Sequence, residues 1–157
     1  MNIRVVVADE RRATFFDVTR PDTGLHEAGS VENPAGRLRD TDLETDRAGR
    51  RYGGAQGVSH GQGPMQGHHH GVDGERSTVL HDLTLFAKEV GRRIDADRCG
   101  HKFDKLVIVA PPKMLGLLRQ SIPTTVQSMV AGEISKDLAN HGPQAILNAI
   151  PRDAFFN

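Results

Sequence analysis

Leu106-Val107-Ile108-Val109-Ala110-Pro111-Pro112-Lys113-Met114-Leu115-Gly116-Leu117-Leu118-Arg119 is the stretch on which the fold turns. Its first five residues are apolar without alternation, which suits a short strand covered on both faces. Pro111-Pro112 ends that strand, since proline has no N–H for a ladder, and its fixed φ suits a first helical turn. Leu115, Leu117 and Leu118 carry a helix from beside Pro112 to Gln120. A buried strand running straight into a helix is the repeating unit of an α/β sheet.

Working outward, Ile3 to Ala8 is a second continuous apolar run and predicts a central strand. The polar turn Asp9-Glu10-Arg11-Arg12 leads into Ala13 to Thr19, so the first two strands form a hairpin. After the turn Pro21-Asp22-Thr23-Gly24, Leu25 to Val31 is a weaker third strand. Ser77 is placed to cap a helix whose Val79, Leu83, Phe86, Val90 and Ile94 recur at steps of four and three. Beyond the opening stretch, Val126 to Ile134 reads as a strand with Gly132 as its bulge, and Pro143 to Ile150 as a short helix stopped by Pro151. The expected result is a single three-layer α/β domain spanning residues 1–157, built on a mixed sheet of about five strands.

Between Asn33 and Arg76 the large apolar residues are Leu38, Leu43, Tyr52, Val58, Met65 and Val72, too few to bury a core. Glycine-dense sequence from Gly53 to Gly71 has the most entropy to lose on ordering. A long, disordered Gly/His-rich loop is therefore expected at 33–76.

With 157 residues, one domain is the natural partition. Lys plus Arg and Asp plus Glu both number 20, so no global field draws the chain to nucleic acid or an anionic membrane, and any RNA contact must be local. The single cysteine, Cys99, makes no internal disulfide or CxxC knuckle and reads as a small apolar filler. No apolar run approaches the roughly 18 residues of a membrane span, and the opening residues charge too early for a secretory signal, so a cytoplasmic location without membrane partners is expected.

His68, His69 and His70, with His60, Asp73, Glu75 and His81 nearby, form the most conspicuous ligand set. Imidazole and carboxylate suit zinc or nickel, but no HExxH helix accompanies them and nothing local fixes their geometry, so adventitious binding is preferred to a metal site. Neither GxxxxGK[ST] nor a strand-turn-helix GxGxxG is present, and Ser59, Ser77 and Cys99 lack a nucleophile context, so no cofactor is expected. Asp9 and Lys136-Asp137 follow the first and last strands, where an open α/β sheet places its crevice, although the simpler and preferred reading has Asp9 shaping the hairpin turn and Asp137 capping or preceding a short helix. Lys105, Lys113 and Arg119 could offer phosphate contacts, and Arg92 and Arg93 another set, against the simpler reading of a solvated helix face.

Phe103 to Arg119 closely resembles the signature of the bacterial host attachment family, proteins required for attachment to host cells. Val7-Ala8-Asp9 with Arg11, Ala13 and Phe15-Phe16 resembles that family's opening, and Glu133-Ile134-Ser135-Lys136-Asp137-Leu138 its closing block. The family is similar in fold to the central domain of archaeal and eukaryotic class I release factors and of Pelota, which implies a ribonuclease-H-like domain of translation-machinery ancestry. In release factors the corresponding loop carries Gly-Gly-Gln, whose glutamine helps water attack peptidyl-tRNA. The nearest text here is Gly53-Gly54-Ala55-Gln56, where Ala55 displaces the amide by one residue. Misplacement of about 1 Å can cost about 100-fold in rate. The resemblance thus implies a noncatalytic factor that binds the ribosome or structured RNA, or a protein partner. Its expected binding residues are Asp9, Arg11, Arg12, Gly53, Gly54, Gln56, Lys113, Arg119, Lys136 and Asp137, with Gln56 as the one catalytic candidate. Ester hydrolysis through Gln56, and an indirect role in attachment or stress, are the alternatives.

Overall fold

The computed structural model describes residues 1–36 and 71–156. Strands β1 (Ile3–Ala8), β2 (Arg12–Val18), β3 (His26–Glu32), β4 (Lys105–Ala110) and β5 (Val130–Ser135) form one sheet in the order β3-β2-β1-β4-β5. The β1–β2 and β2–β3 pairs are antiparallel, and the β1–β4 and β4–β5 pairs are parallel, so the sheet is mixed as expected. The helices are α1 (Gly71–Cys99), α2 (Pro112–Ser121), α3 (Thr124–Gln127), α4 (Pro143–Ala149) and α5 (Asp153–Phe156).

Side chains alternate across a strand, and here both faces are covered. Val6, Ala8, Phe15, Leu106 and Ile108 pack under Leu83, Phe86, Val90 and Ile94 of α1 and Met114 and Leu118 of α2. On the other face Val5, Val7, Phe16, Val107 and Val109 meet Ile146 of α4 and Phe155 of α5. Three layers result, and the unbroken apolar runs of β1 and β4 are explained by burial on both sides.

Arg4 is the exception inside β1, being 2% exposed. Its guanidinium donates through Nε to Asp17 Oδ1 at 2.6 Å and through Nη1 to Asp97 Oδ2 near the end of α1. Asp97 also receives Lys102 Nζ at 2.9 Å and Arg93 Nε at 3.3 Å. Phe15 and Phe103 flank Arg4, with ring centroids 5.9 and 5.7 Å from its central carbon. Burial works to raise the Asp97 pKa, but the hydrogen bonds from Lys102 and Arg4 and the charges of Arg4 and Arg93 outweigh it, holding the carboxyl below the usual range. Burial likewise opposes the charge on Arg4, and its hydrogen bonds to Asp17 and Asp97 reverse that, raising its pKa.

Where α1 crosses α2, Gly91 lets the backbones meet. A Cβ there would lie 2.7 Å from the carbonyl oxygen of Ser121.

Several boundaries differ from expectation. The helix expected at Ser77 begins at Gly71, so Ser77 lies within it rather than capping it; Thr78 Oγ1 already donates to Gly74 O at 2.9 Å. Once its packed half is nucleated, a helix extends at one hydrogen bond per residue, which carries it upstream through indifferent sequence. At the other end of the expected loop, 34–36 form a helical turn, so the span 33–76 is too long at both ends; residues 37–70 lie outside the described residues. Val126 belongs to α3, where Pro123 opens a helical turn and Val126 is buried in the core, and the strand starts only at Val130. Gly132 is not the bulge: Leu106 pairs with Val130 and Val107 with Gly132, leaving Ala131 as the extra residue. A second irregularity leaves Ala28 extra in β3, whose partners Phe15 and Phe16 face Gly29 and Glu27. Pro151 stops α4 as expected, but a further helix, α5, follows it. Cys99 is exposed at the last residue of α1, with its Sγ 3.3 Å from Arg98 Nη2, so it fills no core.

Candidate functional site

In a sheet of this type the carboxyl ends of the parallel strands gather the loops that carry function. Here β1, β4 and β5 end together at Ala8, Ala110 and Ser135, so the segments from Asp9, Pro111 and Lys136 emerge along one edge. Asp9 builds the first of these. Its Oδ1 accepts the backbone N–H of Arg11 at 2.8 Å and of Arg12 at 2.9 Å, and its own N–H donates to Arg12 O at 3.0 Å. This is the habit of a turn aspartate, whose short side chain satisfies nearby amides.

Arg12 ties this turn to the segment after β5, donating from Nη2 to Ala139 O at 3.0 Å. Lys136 and Asp137 are exposed just upstream of that contact, and Lys113 is exposed in the first turn of α2. Asp9, Arg11, Arg12, Lys113, Lys136 and Asp137 therefore share one edge. Arg119 does not join them: at the last turn of α2 it donates from Nε to Glu133 Oε2 at 2.7 Å, a hydrogen bond that raises its pKa. Nor do the other expected phosphate contacts form one surface. Lys105 Nζ is buried with no hydrogen-bond partner, Arg93 is held by Asp97 with Phe15 at 5.2 Å, and Arg92 pairs with Glu89. Gly53, Gly54, Gln56, His60, His68, His69 and His70 lie outside the described residues. Among the described residues no three His, Cys, Asp or Glu side chains are grouped to hold a metal ion.

Asn33 is the site residue that sequence reasoning missed, having been assigned to the loop. It is 4% exposed, donates from its backbone N–H to Arg11 O at 2.7 Å and from Nδ2 to Glu10 O at 2.8 Å, and accepts Ala35 N–H at 3.2 Å. The available signal was the pair Asn33-Pro34, which favours a turn. Three residues on, a Cβ on Gly36 would lie 3.1 Å from Glu10 O and 3.4 Å from Arg11 Cα, so the chain departs pressed against the Asp9 turn. Asn33→Ala leaves the Glu10 carbonyl and the Ala35 amide without their partner and is expected to cost about 1–3 kcal/mol in urea denaturation. Unchanged stability would mean that water replaces the amide side chain.

Two depressions adjoin this edge. A polar cleft of about 220 Å3 lies between Arg12, Thr14, Glu27, Glu32 and His141 over Phe16 and Ile146. An apolar groove of about 470 Å3 runs between Pro34 and Ala35 on one side and Leu85 and Phe86 on the other, rimmed by Asp82 and Glu89. Pro34 and Ala35 thus lie beside α1 on the site edge.

Residues 2–150 match bacterial archaeo-eukaryotic release factor family 12. The chain belongs to that family. The chain is also similar to an uncharacterized protein of Rickettsia prowazekii (strain Madrid E), 41% identical over 49 residues. That match covers 31% of this chain and 33% of the other, so the chain spans about a third of the curated relative it matches. Among the described residues, no helix of this family member is long and apolar enough to cross a membrane.

Proposed function

We propose that this release factor family member is a noncatalytic, cytoplasmic factor that associates with the ribosome or with structured RNA. Its main support is the family match over residues 2–150. Asp9, Arg11, Arg12, Lys113, Lys136 and Asp137 form the docking edge, against which Gly36 packs, and Gly53, Gly54 and Gln56 follow in the sequence as further binding residues. A binding role for the edge is favoured over a chemical one by what its groups already do: Asp9 Oδ1 holds two backbone amides, and Arg12 holds the Ala139 carbonyl. The spacing of Gly53-Gly54-Ala55-Gln56, one residue out from the release-factor tripeptide, supports the same choice.

In low-salt lysates the wild-type chain is expected to sediment with ribosomal particles, to be released as salt rises, and to do so equally in Gln56→Ala. A protein found only in the soluble fraction at every salt concentration and growth phase overturns the association. Peptidyl-tRNA hydrolysis by wild type that is lost in Gln56→Ala overturns the noncatalytic part. A second reading, an indirect role in host attachment through a protein partner, draws on the likeness of Phe103 to Arg119 to the attachment family. Attachment that is unchanged in a deletion strain removes it.

A further inference from the structure

At the opposite end of the sheet, where β2 leaves at Val18, a depression of about 600 Å3 is framed by Arg20, Pro21, Asp22, Arg152 and Phe156. We propose that it receives an unpaired nucleotide of single-stranded RNA, base on Phe156 and phosphates on the two arginines.

Phe156 is the first observation. The chain has six phenylalanines and no tryptophan. Five of the phenylalanines are 7% exposed or less, whereas Phe156 is 73% exposed. Its presentation is fixed from below: Ala154 and Phe155 on the same helical turn are buried, and Phe155 belongs to the core on that face of the sheet. A ring held outward on an anchored turn has lost little freedom that binding would otherwise remove, which favours stacking. The second observation is charge. Arg20 and Arg152 are exposed, and neither side chain has an ion pair or hydrogen bond among the described residues. Among the described residues most other arginines are engaged: Arg4, Arg12, Arg92, Arg93, Arg98 and Arg119 all hold an acceptor.

An aromatic face beside two cations matches the requirements of single-stranded nucleic acid, whose unstacked bases lie on aromatic rings while arginine meets the phosphates. The volume falls within the range of about 300–1,000 Å3 that small ligands occupy. A duplex keeps its bases stacked on each other and gains nothing from the ring. Asp22 is the acidic group on the rim among the described residues and opposes phosphate there. This deepens the proposed RNA association by naming a surface for it, away from the Asp9 edge, and rests on that proposal.

The test is fluorescence anisotropy of the full chain with a short fluorescein-labelled oligouridylate and with a duplex RNA of equal length. Wild type is expected to prefer the single strand. Phe156→Ala should weaken that binding about tenfold, in line with one lost base stack, and leave duplex binding unchanged. Arg20→Ala with Arg152→Ala should flatten the dependence of log affinity on log salt by about 1.4, two contacts at about 0.7 each. Asp22→Asn should tighten binding. All four positions are on the surface, so thermal melts should match wild type. No oligouridylate binding by wild type, equal loss of single-strand and duplex binding in Phe156→Ala, or an unaltered salt slope overturns the site. Ribosome sedimentation separates the two proposals: wild type that sediments while these variants bind oligouridylate normally removes this site and leaves the association standing.

Discussion

Asp97→Ala is expected to lower the free energy of unfolding by about 3–5 kcal/mol, the cost of breaking a buried ion pair by deleting one partner. The Asp97 side chain is 3% exposed and receives Arg4, Arg93 and Lys102. Its removal leaves Arg4, buried at 2%, with Asp17 alone, and Asp17 is 41% exposed and so screened by solvent. Asn at 97 keeps an acceptor of similar size and should cost less. Arg4→Met should also cost less than Arg4→Ala, since the cavity between Phe15 and Phe103 stays filled. Urea midpoints at constant slope provide the measurement, and a loss below about 1 kcal/mol for Asp97→Ala would show that the cluster is energetically idle. Acid supplies an independent arm. Because the folded carboxyl titrates below its ordinary value of 3.8, its contribution is complete above that pH and is lost as pH falls through the lower folded value. Wild type should therefore lose stability below about pH 4 more steeply than Asp97→Asn does.

Gly91→Val is expected to destabilise by about 2–3 kcal/mol, as overpacking of a well-packed contact does. The first added carbon would sit 2.7 Å from Ser121 O and 3.1 Å from Ser121 C, both backbone atoms at the end of α2, which cannot rotate away. Relief requires the two helices to separate, and they share Val90, Ile94, Leu118 and Ile122 in one core. Gly91→Ala makes the same clash but gains about 1 kcal/mol of helix propensity, so its net loss should be smaller. The valine variant should melt roughly 5–10 °C lower. Equal melting of wild type and valine would show that the crossing is loose.

The parts of the fold that were legible in the sequence are those with a single local cause. β1 and β4 are continuous apolar runs because helices cover both faces, and Pro111-Pro112 marks the change from strand to helix wherever it stands. The Asp9 turn was legible for the same reason, as a turn aspartate accepts the amides two and three residues on. What stayed hidden depends on residues far apart. Nothing near Arg4 announces that Asp97, 93 positions on, will meet it, nor that Arg119 will turn to Glu133 and away from the site edge. The start of α1 was missed because packing further along the helix carries it upstream, while Gly71 and Gly74 locally argue against a helix. The extra residues Ala28 and Ala131 are set by strand register, which belongs to the sheet and leaves no mark on either alanine.

The double partnership of Arg4 also bears on the order in which the chain is made. Synthesis delivers Arg4 long before Asp97, and amino-terminal segments begin to fold first. Through that interval a lone guanidinium in the middle of an apolar strand would oppose collapse of the first hairpin. Asp17 follows Arg4 by only 13 positions, on the strand that pairs with it, and is half-exposed. The nascent meander therefore carries its own interim counterion, and the late arrival of α1 completes the neutralisation of a charge that was never left without a partner.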